Sequence, residues 1–210
     1  PVLRVPDAKS ERGHIVLRAE KGVRLVPGEV VNLREVHTGS LPMNVAGAQR
    51  AYRFKEPGWK LPVKIEKEEP AVHAEIFHLV SLGEGGLYGS STITYVIGGA
   101  PTRIFRIRIP KEFQNVEITG RDIRTRQQEG DLWTVTLQDK VIGDYTLLAT
   151  YHVPAAFDDK PLRVGGVRTE GPESETGYIA LAGSAAFAVE DDAGRDPTIL
   201  PVTAEELPKE

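Results

Sequence analysis

Cysteine is absent from the 210 residues of this chain, which excludes disulfides and thiol chemistry alike. That absence does not assign a compartment. No apolar run approaches the roughly 18 residues that a membrane-crossing helix needs, so direct membrane insertion is not expected. A basic excess is missing too. The formal charge is −4, whereas general polyanion binders carry clustered positive charge, and no nucleic-acid partner is expected. The chain opens at Pro1 with neither an initiator Met nor a basic-then-apolar leader, and we expect an excised piece of something longer. Helical periodicity is nearly absent. The best candidate is one turn at "TAEELP", where Thr203 would cap, Glu206 sits three residues on and Pro208 would end it.

Motifs that would specify a reaction are also missing. There is no P-loop and no dinucleotide fingerprint. Ser90 and Ser91 stand in "GSST", not in a G-x-S-x-G elbow, and no strand-turn-helix context exists to hold one. The five histidines, His14, His37, His73, His78 and His152, lack metal-ligand spacing. His73 and His78 would face opposite sides of one regular strand. With 30 acidic residues some carboxylate pair always exists, so composition alone does not argue for glycoside hydrolysis. Asp158–Asp159 and Asp191–Asp192 fall in loop-like stretches, yet "DDAGRD" lacks the alternating acids and distal Glu of an EF-hand loop. Solvated acidic turns account for them. No catalytic residue, metal or cofactor is expected, and the chain reads as a non-enzyme.

What the sequence does contain is period-two alternation. In "TRIFRIRIP", Phe105, Ile107 and Ile109 point one way and Arg106 and Arg108 the other. Trp133, Val135 and Leu137 share a face in "LWTVTLQD". Tyr145, Leu147, Ala149, Tyr151 and Val153 do so in "YTLLATYHV", and Ile93, Tyr95 and Ile97 in "SSTITYVI". Turn signals separate these runs: "GEGG" at 83–86, "GGAP" at 98–101, "EGD" at 129–131 and "IGD" at 142–144. Short strands so spaced predict an all-β protein, an antiparallel β-sandwich-type architecture with helix limited to a turn or two. Phe105, Ile107, Val135, Leu137, Tyr145, Leu147 and Tyr151 are expected in one core, with Trp133 among them.

The two ends echo each other. "GHIVL" at 13–17 parallels "GYIAL" at 177–181, "LRV" at 3–5 parallels 162–164, and "NLREVHTGSLP" at 32–42 parallels "TILPVTAEELP" at 198–208. A long-period repeat would produce this order of matches. Residues 1–42 would then be the closing strands of one unit and 50–160 the main sandwich body of the next. Residues 161–210 would be a second copy of the closing segment, repeating about 13–42. Stretches 37–49 and 154–176 read as connections.

The combination "RIFRIRIP…VEITG", "GDYTLLATYHVP", "ETGYIALAG" and "ELP" resembles β-rich segments of very large, uncharacterised bacterial envelope proteins. The resemblance spans roughly residues 50–210 and rests on strand-and-turn patterns. It implies an extracytoplasmic setting, periplasmic or cell-surface, and an elongated modular parent; it carries over no catalytic residues.

Three residues stand out as candidate ligand contacts. Arg106 and Arg108 share a strand face amid further arginines at 103, 121, 124 and 126. Such a stripe meets phosphate or acidic glycan, although a solvated face that blocks edge pairing explains it more simply. Trp59 follows "EPG" and is the aromatic expected to be exposed, where it would stack on sugar. The expected function is a non-catalytic structural or interaction module of a larger extracytoplasmic protein. The alternative is a carbohydrate-binding module or an accessory domain of a glycan-active enzyme. Expected partners are adjacent domains of the parent, with a glycan or another envelope protein beyond them.

Overall fold

The protein is all-β. A computed structural model describes residues 10–83, 85–154, 164–183 and 198–207, and among these there are twelve strands and two single 3₁₀ turns. The chain divides into two compact units, Pro1–Pro70 and Ala71–Glu210. That division differs from the boundaries near 42 and 50 read from sequence. The reason is pairing: β4 (Ala48–Phe54) lies between β1 (Gly13–Arg18) and β3 (Arg34–Val36), while β5 (Val63–Lys67) pairs with β2 (Val23–Pro27). Residues 48–67 therefore complete the first unit's sheets.

The first unit is thinly cored. Its buried hydrophobic residues, among those described, are Ala51 and Tyr52. A side-chain amide does part of the joining: Gln49 Nε2 donates to the Val23 carbonyl at 2.9 Å, and its Oε1 accepts from the Leu25 amide at 3.1 Å. Gln49 thus satisfies the backbone of β2 as another strand would.

The second unit is built on two strands of 23 residues each, β7 (Gly86–Arg108) and β10 (Leu132–Pro154), paired antiparallel along nearly their whole length. Sequence reading splits each into two strands at "GGAP" and "IGD". The structure instead bends both strands there without reversing them. Gly99 and Gly143 take positive φ, 62° and 86°, and the register shifts between Thr136, Val141 and Gly143. A glycine in the left-handed region makes a bulge that turns a strand through a corner.

The third strand layer bends at the same corner. β8 (Gln114–Gly120) pairs with the second half of β10 and β9 (Ile123–Glu129) with the first half. Between them Asp122 has φ 53°, and the Tyr145 hydroxyl donates to the Arg121 carbonyl at 2.7 Å.

Bending closes the core. Tyr95 and Phe105 lie on the same strand and would be roughly 33 Å apart if it were straight. Their ring centroids are 4.5 Å apart, and Phe105 stacks on Tyr145 at 5.0 Å. The sheet is folded over on itself into a sandwich whose corners are made by bent strands. Phe105, Ile107, Val135, Leu137, Tyr145, Leu147 and Tyr151 are all buried in one cluster with Ile93, Tyr95 and Ile97. Trp133 departs from expectation: it is half-buried and packs against that cluster from its margin.

The stretch read as a connection at 154–176 carries structure. β11 (Arg168–Glu170) pairs with β7, and β12 (Ser174–Ala182) joins β6 (Pro70–Gly83) in parallel, the one parallel pairing among the described strands.

This bears on the echo. β1 pairs antiparallel with β4, whereas β12 pairs parallel with β6, so the matched strands differ in pairing. The closing turns do match. Thr38–Ser40 and Ala204–Glu206 are both 3₁₀ turns between extended residues, His37 and Leu41 in one, Thr203 and Leu207 in the other. At the second, the Thr203 amide donates to the Glu206 carboxylate at 2.7 Å. The "LRV" matches, the stretch 184–197 and Pro208 lie outside the described residues, Val164 excepted.

Candidate functional site

Arg106 and Arg108 project from β7 opposite the buried Phe105 and Ile107, and both are exposed. The strand that carries them is not an edge. β10 pairs with it on one side and β11 on the other, so that Arg106 stands opposite Thr134 and Glu170, and Arg108 opposite Leu132 and Arg168. The arginines therefore do not serve to block edge pairing.

Arg108 is paired through both of its terminal nitrogens. Its Nη1 donates to both carboxylate oxygens of Asp131 at 3.1 Å each, and Nη2 pairs with Glu170 at 2.6 Å. Asp131 sits in the tight β9–β10 turn, where Gly130 has φ 67°. The hydrogen bonds from Arg108 hold the Asp131 carboxyl below its ordinary range, and the two carboxylates in turn raise the guanidinium. Such charge-assisted forks are the ordered kind of ion pair. They tie the β9–β10 turn and β11 to β7.

An open groove of about 480 Å³ runs past this cluster, lined by Arg108, Asp131, Lys111, Glu112 and Arg168 among others. Its charges are of both signs. The Asp131 carboxyl is held below its ordinary range by Arg108, so Asp131 is not placed to donate a proton near neutrality. Arg106 makes no ion pair among the described residues. Arg103, Arg121, Arg124 and Arg126 are exposed, the last donating from Nε to the Ile118 carbonyl at 2.5 Å.

Trp59 lies in the first unit. It is half-buried, with its ring 5.6 Å from that of Phe54. Phe54 in turn covers Gly13, where a Cβ would come within 2.7 Å of the ring. Trp59 is thus the outer member of a packed stack, and one of its faces is already used.

Two histidine–serine pairs escaped the sequence reading. His78 Nδ1 and Ser91 Oγ are 2.8 Å apart in the interior, with Ser91 at 0% exposure and His78 at 8%. Burial pushes the His78 pKa down, and the negative charge of Glu175 opposes that shift. Glu175 Oε2 itself accepts from the Thr169 amide and hydroxyl, both at 2.5 Å. Nearby, burial raises the Tyr95 phenol strongly, and the Tyr95 hydroxyl has no hydrogen-bond partner. The second pair, His73 Nδ1 and Ser174 Oγ at 2.9 Å, is on the surface. Glu173 approaches His73 Nε2 only to 3.9 Å, beyond hydrogen-bond reach.

Neither pair is arranged for acyl transfer. In the first, substrate cannot reach the serine. In the second, the carboxylate does not orient the ring, and the His73 and Glu173 side chains are both more than half exposed. His37 has a local task, with Nδ1 accepting from the Gly39 amide at 3.1 Å. Among the described residues no three His, Asp or Glu side chains are grouped to hold a metal ion. Asp158–Asp159 and Asp191–Asp192 lie outside the described residues. None of the described helical segments is long and apolar enough to cross a membrane.

No protein family matches the sequence, and no curated protein matches it.

Proposed function

We propose that this chain is a non-catalytic structural or interaction module of a larger extracytoplasmic protein. The observation that carries the reading is the Arg108 cluster. Within the arginine-rich stretch, Arg108 pairs with both Asp131 and Glu170 and so joins three segments of the sheet. The rest of the ordered polar chemistry likewise supports the fold, as with Gln49 along β2 and Tyr145 at the corner. The extracytoplasmic setting and the modular parent rest on the resemblance to β-rich envelope segments. The closing 3₁₀ turns match while the echoed strands pair in opposite senses, so a parent built of repeated units rests on the sequence echo, and in such arrays reach and surface are the product.

The test is a hydrolysis screen of the intact chain with p-nitrophenyl acetate, p-nitrophenyl glycosides and p-nitrophenyl phosphate, run beside Ser91→Ala and Ser174→Ala. Turnover no faster than an equal concentration of free imidazole is expected throughout. Turnover that disappears in either serine variant, with the fold intact, sinks the non-catalytic reading.

A further inference from the structure

The sheet formed by β6, β7, β10 and β8 has an outer face as well as a core face. Along β7 the buried Leu87, Gly89 and Ser91 alternate with Tyr88 and Ser90, and along β10 the buried Ala149 and Tyr151 alternate with Thr150 and His152. A groove of about 430 Å³ opens there, lined by Tyr88, Ser90, Asn115, Thr150, Tyr151 and His152 among others. No lining residue is Asp, Glu, Lys or Arg. That separates it from the mixed-charge groove beside Arg108.

Tyr88 is both exposed and held. It stays 48% exposed, yet its ring lies 4.7 Å from the imidazole of His152, its direct cross-strand partner. On another side it lies over Gly83, where a Cβ would come within 3.3 Å of the ring. The Ser81 hydroxyl donates to the Tyr88 carbonyl at 3.3 Å. A ring fixed in this way loses little freedom when something packs on it.

The polar groups around it are of one kind. Ser90 and Thr150 offer hydroxyls, Asn115 an amide and His152 an imidazole, each able to donate and accept. Asn115 has φ 53° and stands where the pairing of β8 with β10 shifts between Thr150 and His152. Irregularities of this sort re-aim a side chain. One buried atom of the outward-facing residues, His152 Nε2, has no hydrogen-bond partner among the described residues. The Tyr151 hydroxyl belongs to the core side of the sheet, where its partner is Ser91. An unpaired buried polar atom is costly, and a ligand that pairs it binds the better for it.

We propose that this groove binds a neutral saccharide, with one sugar ring stacked on Tyr88 and its hydroxyls bonded by Ser90, Thr150, Asn115 and His152. A sugar ring presents an apolar C–H face to an aromatic and a rim of hydroxyls that donate and accept, matching this lining in both respects. An anionic glycan or a nucleic acid would find no cation in the lining, and a metal ion would find no carboxylate. The proposal deepens the reading of the chain as an interaction module and rests on it.

The test is calorimetric titration of the intact chain with cellohexaose, xylohexaose and chitohexaose, with polygalacturonate as the acidic comparison. At least one neutral hexasaccharide is expected to bind saturably. Tyr88→Ala should weaken that binding about tenfold or more, the scale of losing one aromatic stacking contact. Tyr88→Phe, which keeps the ring and guards against a simple folding defect, should bind nearly as the parent does. Thr150→Val should bind more weakly, and Trp59→Ala should change nothing. The proposal is overturned if no neutral hexasaccharide binds, if Tyr88→Ala binds as the parent does, or if polygalacturonate is preferred. A concentration-dependent dimer dissolved by Tyr88→Ala would also overturn it, assigning the face to a second copy of the chain. Each of these failures leaves the non-catalytic reading standing, because that reading falls only with serine-dependent turnover.

Discussion

His78 shows how much one buried polar side chain governs. It occupies an inward position of β6 in phase with Ala74, Ile76 and Val80, where three strands' apolar side chains would otherwise meet. Its hydrogen bond to Ser91 makes that position tolerable, because a buried donor or acceptor left alone costs about 1–3 kcal/mol. Ser91→Ala should lower stability by that amount, read from denaturant midpoints at neutral pH. The ionisation of His78 gives a second, independent signature. Its folded pKa lies below the ordinary 6.5, so the unfolded chain binds the proton more readily. Stability is therefore whole above 6.5 and falls as the pH drops from there toward the folded value. Thermal melts between about pH 7.5 and 5.5 should show this decline. In His78→Gln, which keeps a polar group near Ser91 but does not titrate, the decline over that interval should flatten. Asp131 acts elsewhere: its carboxyl is held down by Arg108, so its contribution is lost only as pH falls below its ordinary 3.8. An unchanged slope in His78→Gln would exonerate His78.

At the scale of elements, the matched glycines of the echo are required for different reasons. A Cβ on Gly177 would lie 1.9 Å from the Ile76 carbonyl oxygen, which is backbone, whereas one on Gly13 would meet the Phe54 ring at 2.7 Å. A ring can swing and a carbonyl in a ladder cannot. Gly177→Ala should cost about 1–3 kcal/mol or more, by the overpacking it forces, and Gly13→Ala should cost less; equal denaturant midpoints would refute the distinction. The sequence could be read this far because alternation needs no partner: Phe105, Ile107, Tyr145 and Leu147 declare their inward face from period two alone. The corner was beyond it. Gly98–Pro101 and Ile142–Asp144 carry the same turn residues as a reversal, and whether positive φ reverses a strand or merely bends it depends on the strand beside it. Of the candidate contacts, the exposure of Arg106 and Arg108 followed from alternation. The carboxylates that occupy Arg108 did not, since Asp131 and Glu170 reach it only through the turn and the β11 register. His78 was within reach, because "AVHAEIFHLV" already sets it in phase with Ala74, Ile76 and Val80. For Tyr88 the phase was equally available, but the groove needs β8 and β10 in place.

For the molecule as a whole, the two units differ in what they bury. Among the described residues the first has Ala51 and Tyr52 in its core, while the second has the continuous cluster running from Ala74 to Val167. Local stability follows buried contact. Hydrogen exchange followed by mass spectrometry should find the slowest amides in β7 and β10 and markedly faster exchange in β1 to β5; comparable protection in both would contradict this account. The long bent pair of β7 and β10 also has a consequence in time. Its register joins Arg108 to Leu132 at one end and Gly86 to Pro154 at the other, so its final pairs close across a large span of chain. Loop-closure entropy must be met before such distant contacts form, and proteins dominated by them fold in milliseconds to seconds. During synthesis the outer half of β7 must wait, edge exposed, until the end of β10 has emerged to cover it.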